Sequence, residues 1–498
     1  MSEVSQKPLF LGIDLGTSSI KVLLLALEWP PRVIARAKAS YPTRRPSPDW
    51  AEQRPQDWWR ALRKSLAQVL SSIDAKNLQG IGLSGQMHGL VVVDKEHQPL
   101  RDAIIWADGR AAPLLVEIRE RVPPSLWPRV GGPPSSGFAA TSLAWLQRNE
   151  PDLLKRAKCM LLPKDWLRLQ LTGRLLSEPS DASASFLYDV VQGGWSKEVM
   201  DLLEIDPELL PPLLPSVDVV GAVDRKVAQR LGLPEGIPVV AGSADQAAAA
   251  LGNGVFSKSK EAEAQLMLGT GGQVLYALDR PLPDTTLRTH LFCHALQGHW
   301  YRLGATLNVG SALAWLTKAL GLRYDSLLDM ASRAPAGAAG VVFKPYLLGE
   351  RTPYMNPWLH GGWYRLRAHH HKGHLARAGL EGIAYSLREA LDATNIPPGI
   401  SLKVSGGGVR SALFVQLLAD VLGRPLHIAA DPDASAWGAA LAAGLGVGAI
   451  KSHELGKYAI PIEREVNPGK HRELYEAFYN EVWKSSPYTS KVNEPPLG

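Results

Sequence analysis

The sequence predicts an α/β protein of two domains, each built on a mixed sheet flanked by helices. The chain has 498 residues, more than one hydrophobic core normally serves. Its first third alternates apolar strands with an amphipathic helix. The triplet Leu-Gly-Thr occurs twice, at residues 15–17 and 268–270, each time in a tight turn between two apolar strands. We place the domain boundary near residue 243, which gives domains of residues 1–243 and 244–498.

The first domain begins with hairpins followed by a helix, a pattern typical of a mixed sheet covered by helices. Its predicted strands are the short apolar runs Leu9–Asp14, Ile20–Leu25, Val33–Ala39, Ile81–Ser84 and Leu90–Asp94. A helix is predicted at Trp58–Leu70, where apolar side chains from Trp59 to Val69 recur at helical spacing. Pro-rich stretches at residues 42–55, 123–134 and 207–215 are predicted to be loops.

Around residue 243 a strand at Ile237–Gly242 leads into Asp245 and a helix of small residues, and from Ala264 the strand–turn–strand pattern starts again. Later elements are predicted helices at Ser311–Leu320, Leu375–Thr394, Ser411–Leu422 and Ala434–Leu445, with a strand at Ser401–Ser405. The polar, Pro-containing end of the chain from about Ser485 is predicted to be a frayed tail.

Composition predicts a cytoplasmic protein with no membrane or nucleic-acid partner. No apolar run reaches the roughly 18 residues of a membrane span, and the first residues lack a signal-peptide pattern. Cys159 and Cys293 stand in unrelated contexts, which argues against a disulfide framework or a cysteine-based zinc site. The net charge of +6 arises from 54 basic residues spread among 48 acidic ones, without a basic run. The oligomeric state stays open, a homodimer included.

The two Leu-Gly-Thr turns are candidate phosphate sites. Glycine removes the Cβ that would block approach, so backbone N–H groups and a Thr hydroxyl can reach an anion at the tip. If the turns face each other across a cleft, they would hold a polyphosphate from both sides, which indicates an ATP-dependent enzyme. The same residues would also suit any tight hairpin, and a lysine on an edge strand can simply extend into solvent. The candidates are Gly16, Thr17, Ser18, Lys21, Gly269, Thr270 and Gly271.

Asp245 is the candidate catalytic group. It follows a buried strand and precedes a helix, so its carboxylate should project from the C-terminal edge of a sheet, where α/β enzymes place their sites. Burial would raise its pKa and a helix N-terminus would lower it, and the sequence leaves that balance open. Taken alone, Asp245 would more often be the N-cap of the helix; the two turns favour catalysis.

Asp14 ends a buried strand directly before the first turn. A carboxylate beside a phosphate loop can hold Mg²⁺, usually through water. Its alternative role is that of an Asx-turn residue that stabilises the hairpin.

Glycines at two further places could approach the nucleotide. Gly407 and Gly408 lie between a predicted strand and the helix that begins near Ser411, so they offer a helix N-terminus and bare backbone to a phosphate or an adenosine. Gly310 begins another helix. A glycine run also suits a flexible turn, so the position between strand and helix carries the argument.

A third group of residues could bind a polyol. Met87 and His88, in the run Gln-Met-His-Gly between two strands, offer a soft apolar surface and an imidazole. Trp106 and Asp108, in the next turn, would add a stacking face and a hydrogen-bond acceptor, and Gln246 lies beside the catalytic candidate. Each of these residues also has an ordinary alternative role: it could pack in the hydrophobic core, or be a loop residue that makes its hydrogen bonds within the protein.

Several common sites are not indicated. Residues 369–371 and 374 are histidines, but no Glu or Cys lies at ligand spacing, so a solvated loop is favoured over a metal site. The chain has neither the P-loop pattern nor the paired motifs of protein kinases.

In these motifs the chain resembles the FGGY carbohydrate kinases of the actin–hexokinase–chaperone superfold. The matching runs extend from residue 11 to about residue 447 and include GIDLGTSSIKV, PDWAEQRPQDWW, GLSGQMHG, AIIWADGR, LLPKDWLRLQLTG, PVVAGSADQAA, LGTGG, PYLLGERTP and SGGGVRS. Within that family, the Met-His-Gly triplet and the LLPKD run resemble the xylulokinase branch.

The resemblance implies two RNase-H-like domains with the active site in the cleft between them. It implies Mg-ATP on one side, and on the other an open-chain ketose, D-xylulose, phosphorylated at C5. Asp245 would be the catalytic base, Met87 and His88 would contact the substrate, and Asp14 would lie near the metal.

Departures from the family pattern keep other readings open. Gln246 stands where xylulokinases usually carry Asn, Phe138–Leu143 lacks the usual Pro-Lys pair, and Arg365 replaces a common Gly. A kinase for another polyol, such as ribulose or glycerol, is therefore the nearest alternative. A non-enzymatic, sugar-responsive ATP switch on the same fold is the alternative from another class.

Overall fold

The computed structural model of the protein describes residues 8–71, 73–259 and 263–485. The strands are β1 (Leu9–Leu15), β2 (Ser19–Ala26), β3 (Arg32–Ser40), β4 (Glu52–Gln53), β5 (Leu78–Gly85), β6 (Val91–Val93), β7 (Ala103–Ile104), β8 (Cys159–Leu161), β9 (Tyr188–Asp189), β10 (Gly194–Trp195), β11 (Val219–Ala222), β12 (Pro238–Val240), β13 (Ser243–Ala244), β14 (Ala264–Leu268), β15 (Gly272–Leu278), β16 (His290–Cys293), β17 (Trp300–Thr306), β18 (Val342–Lys344), β19 (Gly362–Tyr364), β20 (Leu402–Gly406), β21 (Leu426–Ala429) and β22 (Ile462–Val466).

The α-helices are α1 (Pro55–Leu70), α2 (Leu115–Arg121), α3 (Ala139–Asn149), α4 (Pro151–Lys155), α5 (Pro163–Thr172), α6 (Pro179–Ala182), α7 (Lys197–Leu203), α8 (Arg225–Leu231), α9 (Asp245–Gly252), α10 (Gly310–Leu320), α11 (Tyr324–Arg333), α12 (Lys372–Thr394), α13 (Ala412–Leu422), α14 (Ala434–Gly446) and α15 (Arg472–Phe478). The predicted tail beyond Ser485 lies outside the described residues.

The described residues form two compact units, each assembled from stretches that are distant in the sequence. The first unit comprises the chain up to residue 259 together with Ala277–Tyr301 and Asp433–Ile460. The second comprises residues 263–276, Arg302–Pro432 and residues 461–485. A single cut near residue 243 does not reproduce this division, because α9 and α14 both belong to the first unit.

The first unit is built on a mixed sheet with the strand order β11–β12–β5–β1–β2–β3. Strands β1, β2 and β3 pair antiparallel as the two predicted hairpins, and β5 runs parallel to β1. Helix α1 covers one face of this sheet and buries Trp58 completely. The helical spacing predicted Trp59 on the buried face, but Trp59 is only half-buried and its neighbour fills the core.

Helix α14 packs directly on this sheet because glycines allow its backbone to approach the strand backbone very closely. A Cβ added to Gly12 of β1 would lie 1.8 Å from the carbonyl oxygen of Ala436 in α14. A Cβ added to Gly438 of α14 would lie 1.8 Å from the carbonyl oxygen of Ala248 in α9. Contacts this short require residues without side chains. Helix α14 therefore packs closely on the first sheet, and α9 packs closely on α14. Asp245 is the first residue of α9.

The second unit contains a similar mixed sheet, with the strand order β17–β15–β14–β20–β21–β22. Strands β14 and β15 are antiparallel around the second Leu-Gly-Thr turn, and β20 runs parallel to β14. The long helix α12 and its neighbours pack over a core that includes Phe343, Tyr385 and Trp483. A hairpin joined to a parallel strand thus occurs in both units.

The predicted α/β class, with mixed sheets flanked by helices, is confirmed. Each strand and helix bounded in the sequence prediction has a counterpart whose ends differ by three residues or fewer. Within the described part of the chain, no helix is both long enough and apolar enough to cross a membrane.

Candidate active site

Asp245 is placed at the end of the first sheet by strand β13. Ser243 and Ala244 pair in parallel with the end of β5, and Asp245 is the first residue of α9. Ala244 occupies the N-cap position, so Asp245 does not have the capping role that we weighed against catalysis. The carboxylate lies at the edge of a sheet and at the start of a helix, as the sequence predicts.

Burial, and to a smaller extent the nearby Asp14 carboxylate, raise the pKa of Asp245 to about 7. Hydrogen bonds from the backbone and side chain of Gln246 oppose that increase, as does the positive charge of Lys21. Desolvation therefore outweighs the helix N-terminus, which answers the question that the sequence left open. A carboxyl group with this pKa is suited to accept a proton near neutral pH.

Asp14 and Lys21 are directly opposite each other in the β1–β2 hairpin. Asp14 is buried and accepts a hydrogen bond from the Ser84 hydroxyl at 3.1 Å. Burial raises the pKa of Asp14, although Lys21 and the hydrogen bond lower it. Lys21 Nζ lies 3.0 Å from Asp433 Oδ1, and Asp433 also pairs with Arg36 at 3.0 Å. Two acidic side chains, Asp14 and Asp433, thus lie beside Lys21.

The first Leu-Gly-Thr turn is held by side chains from outside its hairpin. Trp106 Nε1 donates to the Thr17 hydroxyl at 2.9 Å, and Gln53 Nε2 donates to the Thr17 carbonyl at 2.6 Å. The Tyr41 hydroxyl donates to the Gly16 carbonyl. The structure therefore brings the predicted phosphate turn into contact with the tryptophan that was predicted to bind the polyol.

The loop Gln86–His88 is fixed on two sides. The backbone N–H of Gln86 donates to the Leu15 carbonyl at 2.8 Å, and its side-chain N–H donates to Gln53 at 2.9 Å. Met87 is buried, and His88 has a positive φ of 72°. The His88 ring stacks on Phe138 at 4.4 Å.

Two buried amide oxygens point to a polar ligand. Gln86 Oε1 and Gln246 Oε1 have no hydrogen-bond partner among the described residues. An unpaired buried acceptor is costly, and a ligand hydroxyl would satisfy it. Both glutamines lie beside candidate residues of the first unit, so this region suits a ligand rich in hydroxyl groups.

Asp108 is buried and its carboxylate is already engaged. One oxygen accepts from the backbone N–H and the guanidinium of Arg110, and the other accepts from Ala51 N and from Arg110. This geometry favours a role in holding the turn that carries Trp106. The predicted direct contact of Asp108 with a substrate remains a prediction.

The second unit gathers the remaining nucleotide candidates. The backbone N–H of Gly310 donates to the Gly269 carbonyl at 3.1 Å, and that of Ser311 donates to the Thr270 carbonyl at 3.0 Å. A Cβ added to Gly271 would lie 2.2 Å from the Thr306 carbonyl oxygen. The second turn is therefore packed directly on the start of α10.

Gly407 and Gly408 lie at the same end of β14. Their neighbour Gly406 pairs with Leu268, the last residue of β14, and has a φ of +102°. A Cβ added to Gly408 would lie 2.9 Å from the Leu268 Cβ. The three groups of candidates predicted from separate stretches of sequence are thus neighbours within the second unit.

The candidate site contains carboxylates of the kind that bind a metal ion. In the part of the chain that the structure describes, no group of three or more His, Cys, Asp or Glu side chains is arranged to hold one. The Asp14 carboxylate raises the pKa of Asp245, and a cation beside Asp14 would relieve that repulsion. Mg²⁺ commonly takes one or two carboxylates and completes its shell with water and substrate phosphates, so these residues fit it. His369 and His371 are exposed, but the predicted loop ends earlier than expected, because His371 is the N-cap of α12 and His374 lies in its first turn.

Sequence reasoning missed residues that act through other residues. Gln53 joins the Thr17 turn to Gln86, and it lies in a Pro-rich stretch that was predicted to be a loop. Tyr41 and Asp433 also contact site residues. Only the matching run around Gln53 offered a signal; nothing local to the other two residues marks them.

The chain matches the N-terminal domain of the FGGY family of carbohydrate kinases over residues 9–252 and its C-terminal domain over residues 264–447. It is 37% identical to the xylulose kinase of Escherichia coli (strain K12) over 84% of this chain and 86% of that protein. It is 35% identical to the xylulose kinase of Lactococcus lactis subsp. lactis over 95% of both chains.

A solved structure of xylulose kinase from Rhodospirillum rubrum superimposes with a TM-score of 0.86 at 30% identity, covering 95% of this chain and 97% of that one. The two-domain α/β fold is therefore that of the actin–hexokinase superfold, as the motifs predicted. Both family domains are matched, and together they span most of the chain. The motifs, the fold and the relatives agree that this chain belongs to the FGGY family of carbohydrate kinases and is a phosphotransferase.

Proposed function

We propose that the enzyme transfers the γ-phosphoryl group of ATP to the C5 hydroxyl of D-xylulose, giving D-xylulose 5-phosphate and ADP. The observation that carries this proposal is Asp245, a partly buried carboxyl group with a pKa of about 7 at the edge of the first sheet. The Met87-His88 pair and the xylulose kinases among its relatives support the choice of sugar.

In this reaction Asp245 accepts the proton of the C5 hydroxyl as that oxygen bonds to the γ-phosphorus. The bond from the γ-phosphorus to the β,γ-bridging oxygen breaks, and ADP leaves. Phosphoryl transfer depends mainly on alignment and on neutralising charge, so a base contributes about 10²- to 10⁴-fold. Lys21, already close to both carboxylates, supplies positive charge on the phosphate side.

Asp14 would hold Mg²⁺ through water. Bound Mg²⁺ neutralises the phosphates and orients the γ-phosphoryl group. The Thr17 turn would place backbone N–H groups around the phosphates, since Gly16 leaves the backbone open.

The sugar would lie against Trp106, Met87 and His88. The unpaired amide oxygens of Gln86 and Gln246 would accept hydrogen bonds from its hydroxyl groups. Such paired contacts discriminate strongly, because a sugar that lacks a matching hydroxyl leaves a buried acceptor unpaired.

The nucleotide would be bound by the glycine-rich end of β14 in the second unit. Thr270 and Gly271 would approach the phosphates, and Gly310, Gly407 and Gly408 the adenosine side. Gly407 has nothing within 4 Å of its Cβ position, so the backbone there is open to a ligand.

The test is ADP release with Mg-ATP and D-xylulose, D-ribulose, L-ribulose, glycerol or no sugar. We expect turnover with D-xylulose and little without sugar. Asp245→Ala should abolish transfer while nucleotide binding, measured by calorimetry, is retained. Turnover confined to another polyol would keep the mechanism and reassign the substrate, with Gln246 as the residue to examine first. Near-normal turnover in Asp245→Ala would refute the assignment of the base.

A further inference from the structure

A buried cluster of charged side chains lies next to helix α6 in the first unit. Lys164 Nζ is 2.8 Å from Asp165, 3.0 Å from Glu178 and 3.1 Å from Asp181, and all four side chains are fully buried. Burial lowers the pKa of Lys164, but the three carboxylates outweigh it and raise that pKa above its ordinary value. Burying a cluster of charged side chains has a large desolvation cost, so we expect the cluster to have a structural or functional role.

Glu178 fixes the orientation of the Ser180 hydroxyl. Its carboxylate accepts from the backbone N–H groups of Ser180 and Asp181, at 2.7 and 2.9 Å, and from Ser180 Oγ at 3.0 Å. A serine hydroxyl has one proton and two acceptor sites. Because the Ser180 proton is directed to Glu178, the Ser180 oxygen can only accept from its other neighbours.

That oxygen accepts from the residue before the candidate base. The backbone N–H of Ala244 donates to Ser180 Oγ at 3.0 Å. Ala244 is the N-cap of α9, and its own side chain provides no cap. Ser180 therefore holds the Ser243–Ala244 peptide, one residue before Asp245, and Glu178 and Lys164 in turn hold Ser180.

The same short segment also holds a candidate substrate residue. The carbonyl oxygen of Ala184, two residues beyond the end of α6, lies 2.6 Å from His88 Nδ1. Residues 178–184 thus contact the backbone before Asp245 at one end and His88 at the other. A rigid connection between base and sugar contact is what alignment of a hydroxyl for transfer requires.

We infer that Ser180 is a positioning residue for Asp245, oriented by Glu178 and Lys164, and that residues 178–184 keep the base and His88 in register. This inference rests on the proposed function, in which Asp245 is the base and His88 contacts the sugar. It adds a residue that touches neither substrate nor cofactor.

Ser180→Ala and Ser216→Ala form a matched pair. Both remove a buried hydroxyl that donates to Glu178, but only Ser180 accepts from Ala244. For Ser180→Ala we expect kcat to fall about 10- to 100-fold, the range of a small misplacement of a reacting group, with KM for ATP unchanged. Ser216→Ala should keep kcat within about threefold even if its Tm falls equally.

Hydrogen exchange of the backbone around residue 244 provides a readout that does not need activity. It should speed up in Ser180→Ala and not in Ser216→Ala, because only the first loses the bond from Ala244. Equal losses of kcat in the two variants, or unchanged exchange in Ser180→Ala, would overturn the inference. If Ser180→Ala does not fold, Ser180→Cys keeps the volume with a weaker acceptor and is judged by the same two measurements.

Sugar-dependent ADP release by the wild-type enzyme separates this inference from the proposed function. A wild-type enzyme without sugar-dependent ADP release on any sugar of the panel contradicts the proposed function. Exchange around residue 244 then still decides whether Ser180 holds that backbone. Active wild type with indistinguishable variants contradicts only the role of Ser180.

Discussion

The ionisation of Asp245 makes the acid side of the pH–rate profile a direct test of its role as the base. In the free enzyme, burial and the Asp14 carboxylate raise the pKa of Asp245 to about 7. The base must be ionised to accept the sugar proton, so kcat/KM for the sugar should fall as the pH drops through 7. Roughly nine-tenths of the group is ionised at pH 8 and about one-tenth at pH 6, which corresponds to an approximately tenfold fall in kcat/KM.

Two substitutions should move this acid limb in opposite directions. Asp14→Asn removes a carboxylate that raises the pKa of Asp245, so the limb should move to lower pH. Lys21→Met removes a cation that lowers the same pKa, so the limb should move to higher pH. Both variants should also lose rate, because both side chains are candidates for binding metal or phosphate. The position of the limb on the pH axis is independent of that loss.

The assay is coupled ADP release with Mg-ATP and sugar both well below their KM values, from about pH 5.5 to 9, so that the profile reports ionisations of the free enzyme. Comparing wild type with both variants removes the titration of the nucleotide, which is common to all three. Identical acid limbs in the three enzymes would refute the assignment of the limb to Asp245. A shift in the same direction for both variants would refute the electrostatic argument.

Two further predictions concern the first turn and the first sheet. Trp106→Phe keeps an aromatic face but loses the N–H that donates to Thr17. KM for the sugar should therefore rise several-fold, which corresponds to about 1 kcal/mol, and it should rise less than in Trp106→Ala. Equal increases of KM in the two variants, measured by steady-state kinetics, would contradict a role for that hydrogen bond. Gly12→Ala places a Cβ 1.8 Å from the Ala436 carbonyl oxygen and should lower the free energy of unfolding by about 3 kcal/mol or more. Gly407→Ala should change the free energy of unfolding by less than about 1 kcal/mol, because no described atom lies within 4 Å of the added Cβ. Equal losses of stability for Gly12→Ala and Gly407→Ala in denaturant unfolding would contradict the packing argument.

Local features of the fold could be predicted because they depend on residues that are close in sequence. The β1–β2 hairpin follows from two apolar runs around Gly16 and Thr17, and its strands are buried along almost their whole length. The prediction of Trp59 as the core residue was wrong, because Trp58 shares the buried face of α1 with Leu62 and Val69. Which tryptophan is buried depends on how the helix is rotated over the sheet.

Long-range features could not be predicted from such patterns. Helix α14 follows Asp433, far along the chain from β1, yet it packs on that strand through Gly12. Nothing near Gly12 or Gly438 in the sequence identifies the partner of either glycine. For the same reason, local sequence patterns cannot show that each compact unit is assembled from separate stretches of the chain.

The candidate site shows the same limit. Asp245, Asp14 and the glycine turns were identified because their own positions, between strand and turn or strand and helix, suit their chemistry. Gln53 and Ser180 were not, because their contribution is to hold other residues in place through hydrogen bonds. Such a role depends on three-dimensional contacts that no local pattern records.

The two Leu-Gly-Thr turns share a sequence pattern but differ in what holds them, and this difference bears on their roles. In the first unit, Thr17 accepts hydrogen bonds from the side chains of Trp106 and Gln53. In the second unit, the Thr270 carbonyl accepts from both the backbone N–H and the hydroxyl of Ser311 at the start of α10, and also from the backbone N–H of Val309. Side chains that also lie beside the candidate sugar residues can adjust when a sugar binds, whereas a backbone contact inside a packed unit changes little. The first turn is therefore suited to couple sugar binding to the position of the phosphates, and the second to provide a fixed cradle for the nucleotide.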